Sequence, residues 1–125
     1  MSTLNPIPWL GLKGRHYESL ALRYLKTQGL RLVEKNYRCS AGEIDLIMQD
    51  KSTLIFVEVR FREDEDYGSA IETVDRRKQL KVRRAAAHYL LLHKIHDVFQ
   101  CRFDVIGITK KNNDVQFSWL PNAFE

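Results

Sequence analysis

The sequence predicts an α/β domain in which a mixed β-sheet is flanked by helices, with the elements in the order α-β-β-β-α-β-β. Three observations predict it. Two stretches, residues 13–28 and 75–93, repeat their apolar side chains with the helical period. Five shorter runs, residues 30–38, 43–48, 53–61, 101–109 and 115–120, are rich in strand formers and bounded by polar turns. At 125 residues and 44% hydrophobic content the chain supports one core, and it is too apolar to be disordered.

Residues 1–12 carry Pro6, Pro8 and Gly11 and read as an extended N-terminal arm, followed by a single domain over 13–125. In the first helix Tyr17, Leu20, Ala21, Tyr24 and Leu25 share one arc, and Gly29 closes it. Glu18 falls inside that arc, whereas Ser19, Arg23 and Lys26 lie on the wet side. An acid on a core-facing arc either meets a partner there or is a first-turn glutamate stabilised by the helix dipole.

The centre of the chain is residues 42–62. Two strands are joined by the polar turn Gln49-Asp50-Lys51-Ser52, and Glu43, Asp45, Glu58 and Arg60 interrupt otherwise buried runs. Alternation places Glu58 and Arg60 on one face of their strand, with Val57, Val59 and Phe61 on the other. Glu43 and Asp45 likewise share a face, opposite Ile44, Leu46 and Met48. Antiparallel pairing is expected to set Asp45 beside Phe56 and one diagonal step from Glu58, so two carboxylates converge. Paired carboxylates with a neighbouring cation suit a hard divalent ion such as magnesium, which takes oxygen ligands at about 2.0–2.1 Å and keeps several waters. Glu43 reads first as a structural partner for Arg38 or Arg60.

Residues 62–69 form an acidic run that reads as a solvated loop. On the second helix Lys78, Val82, Ala85, Ala86 and Tyr89 make an inward stripe with Gln79 at its edge. Arg77, Lys81, Arg84 and His88 make a separate outward stripe, which is either a solvated basic face or a track for a phosphate backbone. His93 and His96 have a spacing open to zinc, yet no cysteine or acidic cluster accompanies them, so zinc is not expected. Asp104, set between Phe103 and Val105, reads as a structural partner for Arg or Lys. Residues 110–114 form a turn and 121–125 a tail.

The pattern Asp45 … Glu58-Val59-Arg60 resembles the D…(D/E)-x-K signature of restriction-endonuclease-like nucleases. Gly14-Arg15, Glu18, Asn36-Tyr37-Arg38, residues 42–47, residues 56–60, Lys78-Gln79 and Phe103-Asp104-Val105 fall in the order and spacing of the bacterial YraN family, which is similar to archaeal Holliday-junction resolvases. The resemblance runs from Lys13 to the C-terminus. It implies a restriction-endonuclease-like fold and a metal-dependent endonuclease acting on structured or branched DNA. It also implies that Asp45, Glu58 and the Val59 backbone carbonyl bind Mg2+ or Mn2+, with Glu18 completing the shell directly or through water. Lys78 and Gln79 match a lysine or glutamine that such nucleases place beside the acids. Where those nucleases have lysine this chain has Arg60, whose guanidinium cannot act as a base. Arg60 would orient water or phosphate, and Lys78 is the nearest substitute for the lysine. The competing reading is a non-catalytic nucleic-acid-binding domain whose acids form an ion-pair network with Arg60 and Lys78.

Composition bounds the remaining choices. A net charge of +4 and a pI near 9.2 are compatible with a nucleic-acid partner, bound in part by Arg77, Lys81 and Arg84. No apolar run reaches the roughly 18–20 residues needed to cross a bilayer, and the N-terminus lacks a basic region followed by an apolar block, so neither a membrane span nor a signal peptide is expected. Cys39 and Cys101 have neither metal nor disulfide-framework spacing, which makes a reducing cytoplasm the expected location. The symmetry of a four-way junction makes a homodimer attractive, although no stretch identifies an interface.

Overall fold

In the computed structural model, which describes residues 8–62, 74–94 and 100–125, the elements are α1 (Pro8–Thr27), β1 (Arg31–Cys39), β2 (Gly42–Asp50), β3 (Thr53–Arg62), α2 (Arg76–Leu92), β4 (Gln100–Lys111) and β5 (Asp114–Phe124). The expected α-β-β-β-α-β-β order is the observed one. The strands form one sheet in the order β1-β2-β3-β4-β5, antiparallel except for the parallel pair β3 and β4. Parallel neighbours require a crossover, and α2 supplies it.

Each face of the sheet has its own core. On one, Tyr17, Ala21 and Leu25 of α1 bury against Leu46, Met48, Ile55, Val57, Ile106 and Ile108. On the other, Val82, Ala85, Ala86 and Tyr89 of α2 bury against Tyr37, Ile44, Ile47, Leu54 and Phe56. Fully buried side chains such as Leu25 and Phe56 contribute about 1.5–3 kcal/mol each. The predicted helical arcs are therefore the ones that dock.

The boundaries differ most at the first helix and the last strand. α1 begins at Pro8 rather than Lys13, so residues 8–12 of the expected arm are helical. Proline suits a first turn, where its missing N–H would have had no intrahelical partner. The expected C-terminal tail instead prolongs β5 to Phe124, which pairs and stacks with Phe103 at 5.0 Å between ring centroids. β5 lies at the sheet edge, where Pro121 removes no essential ladder bond, and Asn122 (φ 53°) accommodates the irregularity. Residues 1–7 of the arm, residues 63–69 of the acidic run and His96 lie outside the described residues. His93 places its Nδ1 against the Tyr89 carbonyl at 3.1 Å.

Alternation along β2 does not survive intact. Ile44 joins Ile47 in the core beneath α2, while Leu46 joins Met48 in the core beneath α1, so the expected common face of Ile44, Leu46 and Met48 is corrected. The reversal falls at Asp45-Leu46. Across the ladder, Asn36 of β1 has a left-handed backbone (φ 56°) between the paired positions Lys35 and Tyr37. Asparagine tolerates that region better than most residues, which explains its place there.

Two glycines are required by geometry. Gly29 (φ 96°) ends α1, its N–H bonding to the Lys26 carbonyl and the Leu30 N–H to that of Leu25. Gly42 (φ 154°) opens β2 so close to α2 that a Cβ would stand 3.2 Å from the Lys81 carbonyl oxygen. Gly42→Ala is expected to destabilise the fold by about 1–3 kcal/mol through backbone strain and displacement of α2. Urea unfolding of the variant checks this, and an unchanged midpoint would show that α2 is not seated on this turn.

Candidate functional site

The two-residue turn at Lys51-Ser52 sets the register of β2 on β3: Asp50 pairs with Thr53, Ile47 with Phe56 and Leu46 with Val57. One further step sets Asp45 opposite Glu58 itself. The expectation, for a turn of two or four residues, of Phe56 opposite Asp45 and Glu58 on the diagonal is corrected: Phe56 pairs with Ile47, two residues further along β2. At that step the ladder gives way to a side chain, as the Val59 N–H donates to Asp45 Oδ2 at 2.8 Å. Asp45 is thereby fixed against β3 by the residue that follows Glu58.

Glu58 is 3% exposed. Its Oε2 lies 3.2 Å from an Arg60 guanidinium nitrogen and 3.5 Å from Lys78 Nζ. Lys78 reaches it because Asp75 caps α2, accepting the Lys78 N–H at 2.9 Å and anchoring the first turn. Glu58 Oε1 and Arg60 Nε are buried with no hydrogen-bond partner. The Asp45 and Glu58 side chains meet, so a proton on one of them is donated to the other. Burial, and after it the charge of Asp45, push the Glu58 carboxyl from 4.5 up to about 8, against the opposing pull of Lys78 and Arg60. Asp45 is also raised, chiefly by burial, although the Val59 N–H and the bond with Glu58 oppose the rise. The pair shares a proton more readily than it carries two charges.

Glu18 is half-buried, between the core contacts Tyr17 and Ala21 of α1. The preceding residue, Tyr17, stacks on Phe61 of β3 with ring centroids 3.7 Å apart, which holds this turn of α1 over the sheet. Burial, then the charge of Asp45, raise the Glu18 carboxyl, while a hydrogen bond from Asn36 lowers it. Glu18 and the Asp45–Glu58 pair thus feel one another's charge. Two adjoining cavities, about 420 and 490 Å³, open beside Glu18 between α1 and β1.

The other predicted residues divide clearly. Gln79 is not directed at the acids: its side-chain amide donates to the Val74 carbonyl at 3.1 Å and secures the start of α2. Arg77, Lys81 and Arg84 are exposed on α2, as expected of the outward stripe. His88, placed in the same stripe, instead hydrogen-bonds the buried Tyr37 hydroxyl. Glu43 pairs with Arg38 at 3.1 Å on the surface, the structural role expected of it. Asp104 is 0% exposed and accepts from Arg102 through both oxygens, from Trp119 Nε1 and from the Asn122 N–H. It is a completed structural acid. Among the described residues no three His, Cys, Asp or Glu side chains are gathered as a metal-binding group. Among the described residues, too, no helix is long and apolar enough to cross a membrane.

Asn36, Arg15 and Lys35 were not singled out as site residues by the sequence. The signal available was an asparagine inside a strand run, a residue type that marks left-handed backbone. The two basic residues carry no such mark, because α1 and β1 meet only in the folded chain.

Fold and site together define an α/β domain with an acidic pair, Glu58 buried and Asp45 half-buried, across its central antiparallel strands. A family model described as "Uncharacterised protein family UPF0102" matches residues 17–108, and the chain belongs to this family, the one to which the YraN resemblance points. A UPF0102 protein of Legionella pneumophila is 47% identical over 113 residues, covering 90% of this chain and 94% of the relative. One from Aeromonas hydrophila is 47% identical over 121 residues, 96% of this chain and 90% of its own. One from Coxiella burnetii is 46% identical over 112 residues, covering 90% and 91%.

The raised Glu58 carboxyl has a consequence for stability. Between 4.5, the ordinary value for this group, and about 8 the folded chain holds a proton that the unfolded chain has released. Stability therefore falls as pH rises through that window, by at most about 1.4 kcal/mol per pH unit. Glu58→Gln should flatten this part of the profile and leave the variant more stable than the parent near pH 8. Urea unfolding at several pH values in the absence of divalent metal checks this; parallel profiles for the two proteins would contradict it.

Proposed function

We propose that the protein is a metal-dependent endonuclease that hydrolyses phosphodiester bonds in structured or branched DNA, with Asp45 and Glu58 holding the cation. The observation that supports this most directly is the bare Oε1 of Glu58, buried beside Asp45. Burial raises both carboxyls, and at Glu58 the charge of Asp45 adds to the rise, in spite of the two nearby cations. Magnesium or manganese suits such a pair, since a hard ion accepts one or two protein carboxylates and fills its shell with waters and substrate oxygens.

In this reading Asp45, Glu58 and the Val59 carbonyl would hold the ion, with Glu18 completing its shell directly or through water. The bound ion would lower the pKa of a coordinated water and offset charge developing on the phosphate. The Val59 N–H fixes the orientation of Asp45. Arg60 remains cationic throughout and can hold a phosphate oxygen by two hydrogen bonds. Lys78, 3.5 Å from Glu58, is the residue placed to hold or pass a proton beside the attacking water.

A second reading has its own support: Arg60 and Lys78 both contact Glu58, as they would in a structural ion-pair network of a non-catalytic nucleic-acid-binding domain. One set of variants separates the two. Under the first reading, Mg2+ or Mn2+ raises the melting temperature near pH 8 and supports cutting of flap or four-way DNA. Asp45→Asn and Glu58→Gln then lose both effects, with cutting reduced at least about a hundredfold, since even outer-shell losses at metal sites cost about 10–100-fold. Under the second, metal changes neither property, and the variants bind DNA as well as the parent or better. That result would overturn the nuclease proposal.

A further inference from the structure

Lys35 and Asn36 are adjacent in β1, so regular alternation would send them to opposite faces of the sheet. Both nevertheless line the 420 Å³ cavity, together with Arg15 and Glu18 of α1. The left-handed backbone at Asn36 breaks the alternation at this point. The second cavity shares Arg15, Glu18 and Asn36 and adds Arg38. The two spaces thus form one cleft along the seam of α1 and β1, with exposed cations at its rim and Glu18, which senses Asp45, in its wall.

Asp45 and Glu58 do not line this cleft, and Glu18 is the wall residue that connects it to Asp45. Toward α2 Glu58 is covered by Arg60 and Lys78, and the exposed stripe of Arg77, Lys81 and Arg84 borders neither cavity. Each cavity falls within the roughly 300–1,000 Å³ range of small-ligand sites, and they adjoin as consecutive units of a chain would require. Arg15 and Lys35, with Arg38 beside them in its surface pair with Glu43, give the polar cleft a basic rim that suits an extended anion.

We propose that the cleft between α1 and β1 receives a DNA strand, with Arg15, Lys35 and Arg38 contacting its phosphates and Asn36 holding Glu18 aside from them. This rests on the nucleic-acid reading above, and it moves the main binding surface away from the outward face of α2. The strand enters past Gly14 and Arg15 and is delivered to Asp45 along the wall that carries Glu18.

The test is anisotropy of a fluorescent flap DNA in EDTA, so that binding is read without cutting. Arg15→Ala/Lys35→Ala is expected to weaken binding about tenfold or more at moderate salt. It should also lower the slope of log affinity against log salt by about two, one for each lost phosphate contact. Lys81→Ala/Arg84→Ala should stay within about twofold of the parent. All four side chains are exposed, and thermal unfolding confirms that the variants fold. A parent that binds, with a silent cleft variant and a weakened α2 variant, overturns this inference and leaves the proposed function standing. A parent with no affinity for DNA or for RNA of the same sequence, even at low salt, overturns both. Affinity for the RNA alone overturns the choice of DNA.

Discussion

The site depends on the pairing of β2 with β3. Because side chains alternate along a strand, the two-residue turn at Lys51-Ser52 decides whether Asp45 meets Glu58 or an apolar neighbour. The Val59 N–H then locks the choice, by donating to a carboxylate where a ladder carbonyl would ordinarily accept. Almost everything else near the site supports that junction. α1 brings Glu18 over it on the Tyr17–Phe61 stack, and α2 brings Lys78 from the other face.

Asp104 and Glu58 show how the same chemistry serves different ends on adjacent strands. Asp104 faces four donors and is surrounded by what a buried carboxylate needs. Glu58 has two cations at one oxygen, none at the other, and a second acid opposite. Burying a charge without full compensation costs several kcal/mol in general, so an arrangement of the second kind lowers stability where the first does not. That contrast distinguishes an acid used for architecture from one available to an additional cation.

Much of the fold was legible in the sequence because its signals are local. The arcs on α1 and α2, the strand runs and Gly29 each report their own segment, and their order fixed the topology. The convergence of Asp45 and Glu58 was legible too, from alternation and pairing, although the residue opposite Asp45 was misplaced by two positions. What could not be read depends on contacts between distant segments. The reversal at Asp45-Leu46 follows from opposing cores on two faces, the role of Gln79 follows from the Val74 carbonyl, and the α1–β1 cleft exists only when a left-handed Asn36 meets a docked helix. The extension of β5 past Pro121 was hidden by a residue that ordinarily ends strands, tolerated here by an edge position.

The parallel pairing of β3 with β4 gives the two halves of the acidic site different histories. Asp45 and Glu58 belong to a hairpin closed over two residues, so their encounter needs only a short loop. Lys78 lies in the crossover that must be traversed before β4 can return alongside β3, a closure of much greater contact order. The acids are therefore neighbours by local design, and the lysine reaches them as a by-product of completing the sheet. A chain interrupted within the crossover would keep the repulsion and Arg60, and lose the second cation that moderates it.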